Sequence, residues 1–198
     1  MSTRIAMLLL LFFVGTTGAL AQQQGKSTRH AAGEISLSND TLDLRYIGKG
    51  GLFGTEGNTQ TSGAFFLSED RDIVLSGAML FRGPDIDRLT LQFGPQVYAA
   101  LLNEENNDVL SIAIGLQARY VLDKSSGFAV SGRAFYGPDI LTFGSADKIH
   151  DLSARVEIQA APRLLAFAGM RWFEFDLTQG GGTQKLMDEL FVGVGYRF

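Results

Sequence analysis

The 198-residue chain has no cysteine and only four prolines. Without thiols there is no disulfide to staple an exported fold and no thiolate metal site, so stability has to come from burial, backbone pairing or lipid on the outside. A basic run is also missing. Lys and Arg number 17 against 21 Asp and Glu, for a formal net charge of -4, which argues against nucleic acid as a partner. Past the N-terminal stretch no segment offers about 20 consecutive apolar residues, so a helical membrane span is not supported and a closed β-barrel is the remaining way through a bilayer. Histidine is limited to His30 and His150. What the chain has in quantity is glycine, 24 residues, well above the usual share of about 7%. Many glycines with few prolines suit closely packed strands better than a disordered chain.

The N-terminus reads as an export signal. Residues 1–21 combine Arg4, an apolar core from Ile5 to Val14, and small residues ending in Ala19-Leu20-Ala21, the pattern of a cleaved secretory signal peptide. Residues 22–32 lack periodicity and are read as a flexible tail. Residues 33–198 are read as one domain.

That domain alternates with period two, the signature of strands with unlike faces. The cleanest stretch sets Leu110, Ile112, Ile114, Leu116, Ala118 and Tyr120 against Ser111, Ala113, Gly115, Gln117 and Arg119. Similar runs follow charged or Pro/Gly turns at Ser68–Asp72, Gly83-Pro84-Asp85, Asn103–Asp108, Asp123–Ser126, Ala161-Pro162-Arg163 and Thr178–Thr183. Eight strands are expected between residues 61 and 198. The segment Glu34–Ile47, which changes parity at Ser38-Asn39-Asp40, adds a hairpin or marks a misdivided strand. Residues 48–60 are read as a loop and Gly137–Ile149 as irregular. Residues 164–177 have mixed parity, with Arg171 and Glu174 on opposite sides, which a bulge or a membrane exit near Arg171 would explain. Two similar segments, Ser76–Ile86 and Ser131–Ile140, suggest a duplication that would put their turns on one side, whereas the strand count puts them on opposite sides.

Strands of this length fit a tilted span of about 25 Å of hydrocarbon. The fold class is therefore all-β, an antiparallel transmembrane β-barrel of 8 to 10 strands. Which face is inside follows from Arg119, Arg133, Arg155 and Glu157: an Arg facing lipid at mid-strand costs roughly 2 to 4 kcal/mol, whereas inside it can pair. The expected lumen residues are Gln92, Gln96, Gln117, Arg119, Arg133, Arg155, Glu157 and Gln159. Tyr46, Phe81, Tyr120, Tyr136, Trp172 and Phe198 lie mostly near strand ends, where interfacial girdles form. The closing run Leu190–Phe198 puts Leu190, Val192, Val194, Tyr196 and Phe198 on one face. It resembles the C-terminal assembly signal of outer-membrane barrels, and Val194, Tyr196 and Phe198 are its expected recognition residues for the barrel-assembly machinery.

With these features in view, the chain resembles the YfaZ family of small bacterial outer-membrane proteins. Glu34–Asp40, Phe135–Gly144 and Val194–Phe198 carry the resemblance. It implies an outer-membrane barrel and brings no activity, cofactor or catalytic residue with it. Catalysis is not expected from the residues either. His150 and Asp151 point to opposite faces of an extended strand, so neither orients the other as a triad needs. Ser153, three residues on, departs from the His-x-Ser pair of lipid A deacylases. Glu104, Glu105 and Asp108 would attract a divalent ion, although a charged hairpin loop needs none; no metal or cofactor is expected. Gly180-Gly181-Gly182 is a turn rather than a phosphate cradle, since no helix follows it. Outer-membrane lipid is the expected partner, and oligomeric state is open. Three roles remain: a barrel with a side-chain-filled lumen, a narrow passive pore, and a lipid-binding barrel.

Overall fold

The computed structural model describes residues 31–49, 58–84, 86–103, 107–178 and 182–198. The signal peptide, most of the N-terminal tail, most of the 48–60 segment, Glu104-Glu105 and most of the Gly180–Gly182 run lie outside them. The strands are β1 (Ala32–Leu37), β2 (Thr41–Lys49), β3 (Thr59–Ser68), β4 (Ile73–Arg82), β5 (Leu89–Leu102), β6 (Asn107–Asp123), β7 (Phe128–Gly137), β8 (Thr142–Gly144), β9 (Ala146–Ala161), β10 (Leu164–Leu177) and β11 (Thr183–Arg197).

Every pairing between these strands is antiparallel, and the ring is closed. The β5–β6 pairing joins the two ends of the order β5-β4-β3-β2-β1-β11-β10-β9-β7-β6. β1 meets β11 from Ala32↔Arg197 to Leu37↔Val192. Ten staves result, because β7 and β8 share one: β7 covers β6 from Ile114 to Asp123 and β8 covers it from Val109 to Ser111. The break between them falls at Pro138, which has no N–H for the ladder. A short 3-10 turn, Asp139–Leu141, fills the gap, with the Leu141 N–H and the Thr142 hydroxyl donating to the Pro138 carbonyl at 2.9 and 3.0 Å.

The stretch Gly137–Ile149 is thus more ordered than its sequence suggests, since β8 and the start of β9 lie inside it. The loop expected over 48–60 is shorter, because β2 reaches Lys49 and β3 begins at Thr59. The parity change at Ser38-Asn39-Asp40 is a tight β1–β2 turn, held by the Ser38 N–H on the Thr41 carbonyl at 3.0 Å. That hairpin raises the count to ten. An even count places β1's start and β11's end at the same end of the barrel, called the terminal end below; the Ser68–Asp72 turn lies at the far end, and the Gly137–Leu141 break lies within its stave toward that end. The Gly83-Pro84 turn is at the terminal end and Gly137-Pro138 toward the far end, so the suggested duplication is not a repeat in space.

Orientation follows the charge argument. Ile112, Ile114 and Val156 are exposed on the outer wall at 38, 64 and 46%. Tyr46, Tyr120, Tyr136, Trp172 and Phe198 are exposed there too. Inside, small residues let aromatic rings lie flat on the wall. A Cβ at Gly193 would overlap the Phe167 ring, and one at Gly115 would overlap the Phe135 ring, so a side chain at either position pushes an inward ring off the strand beneath it.

The interior is not uniformly polar. Toward the far end it is an apolar plug, in which Phe173 stacks with Phe66, Tyr98 and Phe175 at centroid distances of 5.7, 5.7 and 5.5 Å. All four rings are at most 2% exposed. The β10 pattern explains how. Leu165, Phe167, Arg171, Phe173 and Phe175 share one parity and face in, while Trp172 and Glu174 share the other. A bulge does occur, between Phe173 and Glu174, but it leaves Arg171 in the lumen and the strand does not exit the membrane there.

Candidate functional site: the ion-paired lumen

Below the apolar plug lies the polar part of the lumen, in two layers of paired charges. The first is centred on Asp151, which is 1% exposed. β9 alternates so that His150 faces out and Asp151 faces in, two residues from Ser153, which pairs in register with Arg133 on β7 and Arg171 on β10. Arg171 grips the carboxylate with Nε and Nη2, both at 2.9 Å. Tyr98 donates its hydroxyl at 2.8 Å, and Arg133 Nη2 approaches at 3.1 Å. Arg171 then extends Nη1 to Asp43 at 2.8 Å, and its guanidinium lies 4.5 Å over the Phe173 ring. One arginine therefore joins the plug to both carboxylates.

The second layer, nearer the terminal end, is centred on Glu157, which accepts from Arg119 Nε at 2.8 Å, Arg155 Nε at 2.9 Å and the Ser131 hydroxyl at 2.6 Å. Arg155 turns its other two nitrogens to Glu34 across the barrel at 2.8 and 3.0 Å, and sits 4.4 Å over the Phe167 ring. Gln92 donates to Gln60 at 3.1 Å. Arg155–Glu34 joins β9 to β1, and Arg171–Asp43 joins β10 to β2, so the ion pairs cross the lumen between walls that the backbone ladder connects only around the ring. Each carboxylate here accepts charge-assisted bonds, the stronger class, which is what buried charges require.

Of the residues expected in the lumen, Gln92, Gln96, Gln117, Arg119, Arg133, Arg155 and Glu157 stand on inward positions. Gln159 shares their parity but is exposed at the terminal rim, where its amide donates to the Pro162 carbonyl at 3.2 Å. The sequence reading did not include Glu34, Asp43, Arg45, Tyr98, Asp151 or Arg171. For most of these a signal existed in parity: Tyr98 shares a face with Gln92 and Gln96, and Asp151 with Arg155 and Glu157. His150 lies outside against the Tyr136 ring at 5.1 Å and near Asp176 at 3.7 Å. The barrel wall separates it from Asp151 and from the inward Ser153. Among the described residues no group of three or more His, Asp or Glu is arranged to hold a metal ion.

Between the two layers is a cavity of about 60 Å³, room for a few waters. Arg45, Arg133, Gln117, Ser62 and Ser153 are among the residues that line it. Its lining mixes guanidinium, amide and hydroxyl groups with the carboxylates of Glu34 and Asp43 and the apolar side chains of Leu37, Ile47, Phe167, Met187 and Phe191.

A wall that is apolar outside and charged inside, with aromatic residues near strand ends, is that of a transmembrane barrel of the bacterial outer membrane. A bacterial polysaccharide outer membrane secretin aligns with a TM-score of 0.50 at 16% identity over 85% of this chain and 65% of that one. The KdgM porin aligns at 0.47 and 9% identity over 86% of this chain and 99% of that one. The outer membrane channel DcaP of Acinetobacter baumannii aligns at 0.44 and 8% identity, over 83% of this chain and 54% of that one. The chain thus spans just under two thirds of the secretin's length and about half of DcaP's. Identities this low speak for the fold alone. No curated protein matches the sequence. The family described as YfaZ precursor matches residues 20–198, nearly the whole chain. The chain belongs to the YfaZ family.

Proposed function

We propose that the protein is a closed outer-membrane barrel whose lumen is filled by its own side chains, with a structural rather than a transport role. The observation that supports this is the plug around Phe173. Four aromatic rings, each nearly inaccessible, lie across the axis above the Asp151 cluster, where an open channel would keep a water path. The ten-stave ring is small enough for side chains to span it, as they do in barrels of about eight strands. The lipid-binding alternative is poorly served by an interior whose open space is only about 60 Å³ and is bordered by both arginines and carboxylates, because an acyl chain there would strip water from charges and return no bond.

Planar-bilayer recording tests this. The purified barrel is expected to give no unitary current, and Phe173→Ala, which shortens the central ring of the plug, is expected to produce small, flickering openings. Steady conductance by the unsubstituted protein, altered in Arg133→Ala or Glu157→Ala, overturns the filled-lumen reading in favour of a narrow pore.

The same proposal assigns assembly to the outward stripe Val194, Tyr196 and Phe198, with the barrel-assembly machinery as partner. In the fold, Phe198 stacks on Tyr196 at 5.5 Å and its N–H closes on the Ala31 carbonyl at 2.9 Å. Deleting Phe198 is expected to reduce the membrane-inserted fraction several-fold without changing export, measured by fractionation. Unchanged insertion removes this assignment.

A further inference from the structure

Among the described residues of these two layers the charges do not balance: five arginines, Arg45, Arg119, Arg133, Arg155 and Arg171, meet four carboxylates, Glu34, Asp43, Asp151 and Glu157. The excess is not spread evenly. Arg155 and Arg171 each bind two carboxylates at 3.0 Å or less, and Arg119 holds Glu157 at 2.8 Å. Arg133 and Arg45 are left with the weaker contacts. Arg133 reaches Asp151 only through Nη2, at 3.1 Å, on a carboxylate that Arg171 already grips. Its Nε is buried with no hydrogen-bond partner, although the residue is only 8% exposed. Arg45 has a single contact of 3.7 Å to Asp43, which Arg171 already engages.

Both arginines line the cavity between the two layers. We infer that this cavity is a binding site for one small oxyanion, of the carboxylate or phosphate class, held between Arg133 and Arg45. A buried N–H left without a partner loses its full desolvation energy. An oxyanion on the guanidinium nitrogens that Arg133 and Arg45 turn to the cavity offsets the surplus charge, which water does not. The flanking Gln117, Ser62 and Ser153 add amide and hydroxyl donors, and the volume limits the ligand to a few heavy atoms. Arg45 keeps 18% of its side chain exposed, so the site is approached from its side. Glu34 and Asp43 also line the cavity but are engaged by Arg155 and Arg171; a metal cation is disfavoured by the arginines, and an acyl chain by the small volume. The inference goes beyond the filled-lumen reading and does not rest on it, since a conducting barrel would contain the same pair of arginines. Conductance reads the plug and ligand binding reads the site.

The test is calorimetric titration of the full-length barrel in detergent with sodium acetate and, separately, sodium phosphate, at an ionic strength held constant with sodium chloride. At least one anion is expected to bind saturably at one site per chain. Arg45→Gln and Arg133→Lys are each expected to weaken it about tenfold, the effect of removing one charge-assisted bond. Acetate alone binding names the carboxylate class, phosphate alone the phosphate class. Should Arg133→Lys fail to fold by circular dichroism, Arg45→Gln, whose only ion pair is the long one to Asp43, carries the comparison. Absence of saturable binding by both anions overturns the inference and leaves water on Arg133. Binding that Arg45→Gln does not weaken overturns it as well.

Discussion

Asp151→Ala is expected to destabilise the folded barrel by about 3 to 5 kcal/mol, the range for removing one partner from a buried ion pair. The carboxylate is the common acceptor for Arg171, Arg133 and Tyr98. Without it two guanidinium groups remain inside the lumen with only Asp43 nearby. Water admitted to the gap would recover part of the loss, and the apolar plug directly above limits how much enters. Asp151→Asn keeps the shape and one acceptor oxygen, so its effect should be smaller than that of the alanine variant and still destabilising. Arg171 carries two carboxylates and a ring contact, so Arg171→Met should behave like Asp151→Ala. Urea unfolding of the barrel in micelles, followed by the fluorescence of the single tryptophan, Trp172, gives the comparison. A loss below about 1 kcal/mol for Asp151→Ala, within the range of an exposed pair, would mean that the lumen is wet at this level and that the layer is not the structural centre described above.

The difference between what the sequence disclosed and what it concealed follows from the solvent on each side of the wall. Lipid tolerates only apolar side chains at mid-depth, so the outward positions obey one rule on every strand, and period-two alternation reads them directly. Ile112, Ile114, Leu152 and Val156 fall where the pattern puts them for that reason. The lumen has no such single rule. It accepts Phe173 and Arg171 two residues apart on one strand, because one fills space while the other pairs with Asp151. Mixed character within one parity then looks like a flaw in the strand, and the bulge actually present lies just beyond. Asp151 was hidden differently: beside His150 it invites comparison with a catalytic pair, and only its partners on the adjacent strands β7 and β10, with Tyr98 on β5, reveal its use. The two arginines are 18 and 20 residues away in sequence, and their convergence depends on the register of the β7–β9 and β9–β10 pairings, which no local pattern contains. Glu34, Asp43 and Arg45 required the β1–β2 hairpin to be real, and the parity break at Ser38-Asn39-Asp40 left that open. The rim position of Gln159 is a matter of height along the barrel, which parity does not encode.

Val156→Arg tests the other half of the architecture, the outer wall. Val156 lies amid the apolar outward run Leu152, Ala154, Val156, Ile158 and Ala160 of β9, flanked in sequence by Arg155 and Glu157, which face inward. The substitution therefore moves no lumen contact and alters only what meets lipid. Placing arginine there is expected to cost about 2 to 4 kcal/mol in a bilayer, the depth-dependent range for a cation near the midplane of a barrel wall. Asn39→Arg is the matched control, since Asn39 is exposed in the β1–β2 turn at the far end, where the same residue should cost between zero and about 1 kcal/mol. Both are read as unfolding free energies from phospholipid vesicles. The ratio between the two sites is the informative quantity, because a general effect of added positive charge cancels in it. A soluble barrel exposing Val156 to water would show two equal and small values. The lipid-facing wall requires a large value at Val156 and almost none at Asn39, a contrast that follows from the change of environment along the outer surface from hydrocarbon to water.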